Sequence, residues 1–155
     1  MKICCLDQST KCTGFSFWKG RRLTKHGEID LSKIKNKNER MEKMYLSIKK
    51  LILSSKPDVV VIEETQFQSN PKVLRTLAQL QGLILALSYE LGFGLIIVEP
   101  SMWKSYVGVK SRKREEQKAE TMNIVKSRYK VGDIGEDESD SIAIGIWAIG
   151  NLVKE

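Results

Sequence analysis

Hydrophobic and polar positions change their period several times along this chain. Residues 2–7 form a short apolar run that ends in a carboxylate, Asp7. Residues 13–19 alternate with period two, the spacing of a strand. Residues 22–29 can form a third strand after the turn at Gly20-Arg21. Together these predict an opening antiparallel meander. From 36 to 53 the period becomes helical: Met41, Met44, Tyr45, Ile48, Leu51 and Ile52 mark one buried face. Pro57 ends that region. Val59-Val60-Val61-Ile62 then runs apolar without a break, as in a strand covered on both faces.

Pro71 precedes a long helix, predicted over 72–91. Leu74, Leu77, Leu80, Ile84 and Leu87 make one apolar stripe, and Val73, Leu83 and Leu85 widen it. A surface helix needs one stripe, so the extra width points to deep burial or to a subunit interface. Residues 94–98 predict a fifth strand. A basic loop is expected over 104–114, then helices near 115–130 and 138–153. In the last helix Ile142, Gly145, Ile146, Ile149 and Leu152 form the predicted inner face. The order βββαβαβαα predicts an α/β sandwich around a mixed sheet.

At 155 residues the chain has the length of one domain, spanning 1–155. Its 41% hydrophobic content is near the globular average, which argues against disorder. No apolar run approaches the roughly 18 residues of a membrane span. Asp7 interrupts the N-terminus too early for a signal peptide, so a cytoplasmic location is expected. Cys4, Cys5 and Cys12 form no disulfide framework and read as reduced, small hydrophobes. His26 is the only histidine, which leaves too few ligands for a zinc site. A net charge of +7 points toward a polyanion, usually nucleic acid.

Three acidic places stand out by position. Asp7 ends the first strand, Glu63 and Glu64 end the fourth, and Asp137 and Asp140 open the last helix. If strands one and four are parallel neighbours, Asp7 and one of the glutamates lie side by side at the sheet edge where α/β proteins bind ligands. Alternation alone leaves Glu63 or Glu64 open. Asp137 and Asp140 share a helix face, and Glu138 points elsewhere. Carboxylates also suit a helix N-terminus, which is the plain structural account of that pair. Brought together, such carboxylates repel unless a cation neutralises them. Oxygen donors suit Mg²⁺ or Mn²⁺, and two ions about 3.5–4 Å apart can support phosphodiester hydrolysis. Residues 101–130 hold nine Lys or Arg against three Glu, and residues 131–140 hold five acids and no base. Cationic charge thus adjoins the acids in sequence, as a phosphate backbone requires.

Four motifs in order resemble the RuvC family of Holliday-junction resolvases, in the RNase H-like superfamily. They are Leu6-Asp7-Gln8-Ser9-Thr10-Lys11-Cys12-Thr13-Gly14-Phe15, Val61-Ile62-Glu63-Glu64, Pro100-Ser101-Met102-Trp103-Lys104 with Val107-Gly108-Val109, and Asp137-Glu138-Ser139-Asp140-Ser141-Ile142-Ala143-Ile144. The resemblance covers nearly the whole chain. It implies an RNase H-like fold: a five-stranded mixed sheet with helices on both faces. It implies an endodeoxyribonuclease that resolves branched DNA as a homodimer, with two Mg²⁺ or Mn²⁺ ions per active site and no organic cofactor. Asp7, Glu63, Asp137 and Asp140 fall at the catalytic, metal-binding acids. Asp7 and Asp140 would bridge or flank the ions, and Glu63 and Asp137 would complete the shell. Lys118 fits the basic catalytic position best, with Lys113 and Arg114 as the other registers. Lys104, Lys110, Arg112, Lys113 and Arg114 are the expected DNA contacts. The 72–91 helix is the expected dimer face, pairing residues such as Leu74, Leu77, Leu80, Gln81 and Ile84.

The chain departs from the family pattern in two places. Gln8-Ser9 stands where the family usually has Pro-Gly. Gln66 stands where the cellular enzymes carry a base-stacking aromatic, with Phe67 one residue later as the expected substitute. These features and the dense basic stretch look more like phage-type members, in which case the location is the host cytoplasm. Two other readings share much of this evidence: an RNase H-type nuclease on RNA–DNA hybrid, and a non-catalytic branched-DNA-binding module. An actin-like phosphotransferase shares the fold but needs a second domain for which the chain has no room.

Overall fold

The structure is a computed structural model and describes residues 1–66 and 69–155. The opening meander is β1 (Lys2–Asp7), β2 (Cys12–Lys19) and β3 (Arg22–Asp30). After it come α1 (Lys37–Ser55), β4 (Val59–Glu63), α2 (Pro71–Leu91) and β5 (Gly94–Val98). Three helices close the chain: α3 (Pro100–Val107), α4 (Arg114–Arg128) and α5 (Glu136–Leu152). The sheet order is β3-β2-β1-β4-β5. β1 pairs antiparallel with β2 and parallel with β4, and β4 pairs parallel with β5. This is the predicted mixed sheet, antiparallel at one side and parallel at the other.

Strand alternation splits the interior into two cores. Cys4, Leu6, Val60 and Ile62 face α1 and α2, where Met44, Ile48, Leu80, Ile84 and Leu87 are buried. Cys5 and Val61 face the opposite side, with Trp103, Val125 and residues of α5. Helix ends fall where local chemistry sets them. Asn36 caps α1 by accepting from the Glu39 amide at 3.0 Å. Asn70 caps α2 by accepting from the Lys72 amide at 3.0 Å, just ahead of Pro71 in the first turn.

Three expectations need correction. The span read as a basic loop over 104–114 contains the second half of a helix, α3, so three helices follow β5 and the loop shrinks to 108–113. Glu99 is extended and Pro100 sits in the first helical turn, where no amide hydrogen is needed. Trp103 and Val107, four residues apart, then bury one face of α3. The last helix is buried far beyond the predicted stripe: Ser139 and every residue from Ser141 to Ile149 are buried. It lies between the sheet and the helices α3 and α4, touching all of them, so all of its sides are covered. Finally, Leu80 and Ile84 of α2 have 0% exposure and belong to the chain's own core, so they cannot pair with a partner helix. The exposed apolar positions of α2 are Val73, Leu85 and Tyr89. Among the described residues, no helix is long and apolar enough to cross a membrane.

Candidate active site

The parallel register of β1 and β4 sets Leu6 beside Ile62, so the next residues, Asp7 and Glu63, are neighbours at the strand ends. Alternation then decides between the glutamates. Asp7 follows Cys5, and Glu63 follows Val61, onto the sheet face covered by α5. Glu64 turns to the other face, where its carboxylate accepts from Gln81 of α2 at 3.3 Å. Its amide still continues the ladder, donating to the Val98 carbonyl at 2.8 Å. Gln8 holds the two strand ends together. Its side-chain amide donates to the Glu63 carbonyl at 2.7 Å, and its Oε1 accepts from the Glu63 amide at 3.3 Å. In place of Pro-Gly, this chain therefore uses a buried side chain to extend the ladder by one step.

The first turn of α5 brings Asp137 and Asp140 over the same edge. This approach depends on Gly14 of β2: a Cβ there would lie 1.9 Å from the Asp137 carbonyl oxygen. The helix start is also clamped from β3. The Glu28 carboxylate accepts from the Glu138 amide at 3.2 Å, and His26 Nδ1 bonds the Glu138 carboxylate. Glu138 thus faces away from the other acids. Deeper in, Ser16 donates to the Ser141 carbonyl at 2.8 Å, and the Trp18 indole donates to Ser16 at 2.9 Å. These bonds fix the rotation of α5 on the sheet.

Burial and neighbouring charge act on three of these acids. Burial, then the carboxylates of Asp140, Glu63 and Asp137, push the Asp7 carboxyl well above the usual carboxylate range. Burial and Glu63 push Asp140 up to about 7, against partial relief from Lys104 and Lys118. Burial raises Glu63 as well, opposed by a hydrogen bond from Trp103 and by Lys104 and Arg114. The Trp103 indole donates to Glu63 Oε2 at 2.7 Å and so orients that carboxylate. Asp7, Glu63, Asp137 and Asp140 line one cavity of about 440 Å³. Within it the Asp7 and Asp137 side chains share a hydrogen bond. The donors are hard oxygens without histidine, a set that suits Mg²⁺ or Mn²⁺.

Among the described residues, Cys12, Glu28 and Asp137 bring donor atoms within 4.8 Å of one another. The Cys12 thiol is pushed up by burial and by Asp137, which keeps it protonated and a poor ligand for a hard cation.

The opposite wall of the cavity is basic. Lys104, Arg112, Arg114 and Lys118 line it, together with Gln117 and Thr121. Arg114, Gln117, Lys118 and Thr121 recur at helical spacing, so one face of α4 looks onto the acids. Lys118 Nζ pairs with Glu136 Oε2 at 2.5 Å, and Lys104 Nζ donates to Gln117 Oε1 at 3.2 Å. Of the expected DNA contacts, Lys104, Arg112 and Arg114 lie at the cavity, whereas Lys110 and Lys113 are exposed outside its lining. Of the three candidates for the basic catalytic position, Lys118 and Arg114 line the cavity and Lys113 precedes Arg114 as the α4 N-cap residue. Phe67 lies outside the described residues. Sequence reasoning missed Gln8 and Trp103 as supports of Glu63. Trp103 was visible only as part of a motif, because its role depends on α3 being a helix.

A family model described as Lactococcus phage M3 protein matches residues 1–149. The crossover junction endodeoxyribonuclease RuvC of Citrifermentans bemidjiense is 26% identical over 151 residues, covering 94% of this chain and 90% of that protein. Among solved structures, T. thermophilus RuvC in complex with its Holliday junction substrate superposes with a TM-score of 0.77 at 16% identity, over 99% of both chains. The Fowlpox virus resolvase, solved with substrate Holliday junction DNA, gives 0.71 at 17% identity over 99% of this chain and 100% of that one. These two structural likenesses establish the fold.

Proposed function

The chain belongs to the family described as Lactococcus phage M3 protein and is a homologue of the RuvC resolvases over nearly its whole length, and on that premise we propose that it is a structure-selective endodeoxyribonuclease that resolves four-way DNA junctions. One observation carries the reading. The β1–β4 register sets Asp7 beside Glu63 on the face where α5 presents Asp137 and Asp140, and a basic wall faces all four.

In this reading Asp7, Glu63, Asp137 and Asp140 would together hold the divalent ions. When bound there, Mg²⁺ or Mn²⁺ supplies an activated water and neutralises charge at the leaving oxygen. Trp103 keeps Glu63 in one orientation, so the shell is formed before substrate arrives. Lys104, Arg112 and Arg114 grip phosphates at the cavity mouth and set the strand's register. Lys118 exchanges Glu136 for the scissile phosphate and stabilises the charge that develops on it.

Cutting two strands of one junction requires two such sites, hence a homodimer. The proposed contact keeps Leu74, Leu77 and Gln81 of the set read from the sequence, which are only partly buried, and adds the exposed Leu85 and Tyr89. The work takes place where DNA is exposed, in the cytoplasm or the host cytoplasm of a phage.

The test is a substrate panel with Mg²⁺, Mn²⁺ or Ca²⁺: an immobile four-way junction, matched linear duplex and RNA–DNA hybrid. Paired nicks near the crossover of the junction alone support the proposal. Cleavage of the hybrid alone assigns an RNase H activity instead. Tight junction binding without cleavage in any metal assigns a binding module.

A further inference from the structure

A second cavity, of about 310 Å³, adjoins the acidic one and shares Ser9 and Leu77 with its lining. Its chemistry is the reverse. Four cationic side chains line it, Lys11, Lys37, Arg40 and Lys72, and no carboxylate does. They converge from three places: the loop after β1, the first turns of α1 and the first turn of α2. Arg40 is only 9% exposed. One of its nitrogens donates to the Ile34 carbonyl at 3.1 Å, while its buried Nε has no partner among the described residues. A buried guanidinium with an unused donor, beside a cavity lined by three exposed lysines, is costly without a compensating anion. The α2 start adds its positive dipole end. Its amides are already engaged: Pro71 has none, and Lys72, Val73 and Leu74 donate to Asn70. Recognition thus falls to side chains.

We propose that this cavity is a second phosphate-binding site, holding one backbone phosphodiester of the nucleic acid whose scissile bond lies in the acidic cavity. Arg40 is the buried anchor, and Lys11, Lys37 and Lys72 close around the phosphate from the exposed side. The nucleic-acid occupant rests on the nuclease reading; the anion site itself does not. The structure thereby assigns a strand path from the acids, past Ser9 and Leu77, to the starts of α1 and α2.

The test measures binding without cleavage, using a labelled four-way junction in Ca²⁺ across a salt series. A K11Q/K37Q/K72Q variant is compared with K19Q/K50Q/K56Q, which removes equal charge from exposed positions elsewhere. The expected result is about tenfold weaker binding for the first variant only, with the log–log salt slope reduced by about 0.9 for each phosphate lost. Equal losses in both variants would overturn the site in favour of diffuse charge. In the wild type, the Arg40 Nε–H resonance is expected to shift on adding the junction. If inorganic phosphate moves that resonance and the junction does not, the cavity is a small-anion site and the backbone assignment fails. If neither moves it, the cavity binds no phosphate. If the wild type binds no DNA at all, the nuclease reading fails, and the inorganic phosphate titration still decides the anion site.

Discussion

Asp7 carries the most consequence of any single residue here, because burial and three facing carboxylates oppose its ionisation. Asp140 shares the effect, its carboxyl pushed from 3.8 to about 7. Between those values the folded chain keeps a proton that the unfolded chain has lost. The native state then binds more protons, so the stability of metal-free protein falls as pH rises through that window. The melting temperature without metal is therefore expected to be lower at pH 8 than at pH 5, and Mg²⁺ or Mn²⁺ should restore more of it at pH 8. Asp7→Asn removes the buried group whose ionisation the other carboxylates oppose. It should raise the metal-free melting temperature at pH 8 by roughly 2–8 °C, for about 1–2 kcal/mol. Scanning calorimetry at the two pH values checks all three outcomes. Trp103→Phe keeps most of a buried ring and removes the donor to Glu63. Loss of a hydrogen bond to a charged group, about 1.5–3 kcal/mol, should lower the single-turnover rate about tenfold or more and leave junction affinity near wild type.

Elements place these residues, and here the sequence was legible in part. The apolar run Val59–Ile62 and the carboxylate that ends β1 marked two strands with acids at their ends, but that these are parallel neighbours was only a condition until the register showed it. Asp137 and Asp140, three apart, announced one helix face. The choice of Glu63 over Glu64 needed the strand to stay regular to its end, which the register shows. Helix α3 was illegible because eight residues with Pro100, Trp103 and Val107 buried make too short a period to read. The supporting role of Gln8 was hidden for a different reason: it arises from a contact 55 residues away. The close approach of α5 to β2 depends on Gly14. Gly14→Ala would drive a methyl into the Asp137 backbone. The helix start must move, costing roughly 1–3 kcal/mol and displacing two of the four acids. Cleavage should fall at least tenfold while far-ultraviolet circular dichroism stays near wild type; unchanged cleavage would mean that α5 need not sit where it does.

At the scale of the whole molecule, the sheet separates two tasks. One face buries α1 and α2 in an apolar core, and the other seats α5 so that the acids meet at the sheet edge. Which apolar residues of α2 look outward could not be read from composition, because a wide apolar helix serves a core and an interface alike. The exposed Leu85 and Tyr89, four residues apart on one face, now mark the proposed twofold contact. Leu85→Arg should shift sedimentation from dimer to monomer at micromolar concentration, and it should turn paired cuts on a junction into single nicks. A wild type that sediments as a monomer at every concentration would remove the dimer from the account.

The central claim is that Asp7 and its three neighbours cut branched DNA. The most direct measurement is single-turnover cleavage of an end-labelled four-way junction in Mg²⁺, wild type beside Asp7→Asn, at concentrations that saturate binding for both. The account predicts symmetric paired nicks near the crossover for the wild type and a rate at least about 100-fold lower for the variant, with junction binding retained. Equal cleavage by both proteins would contradict it.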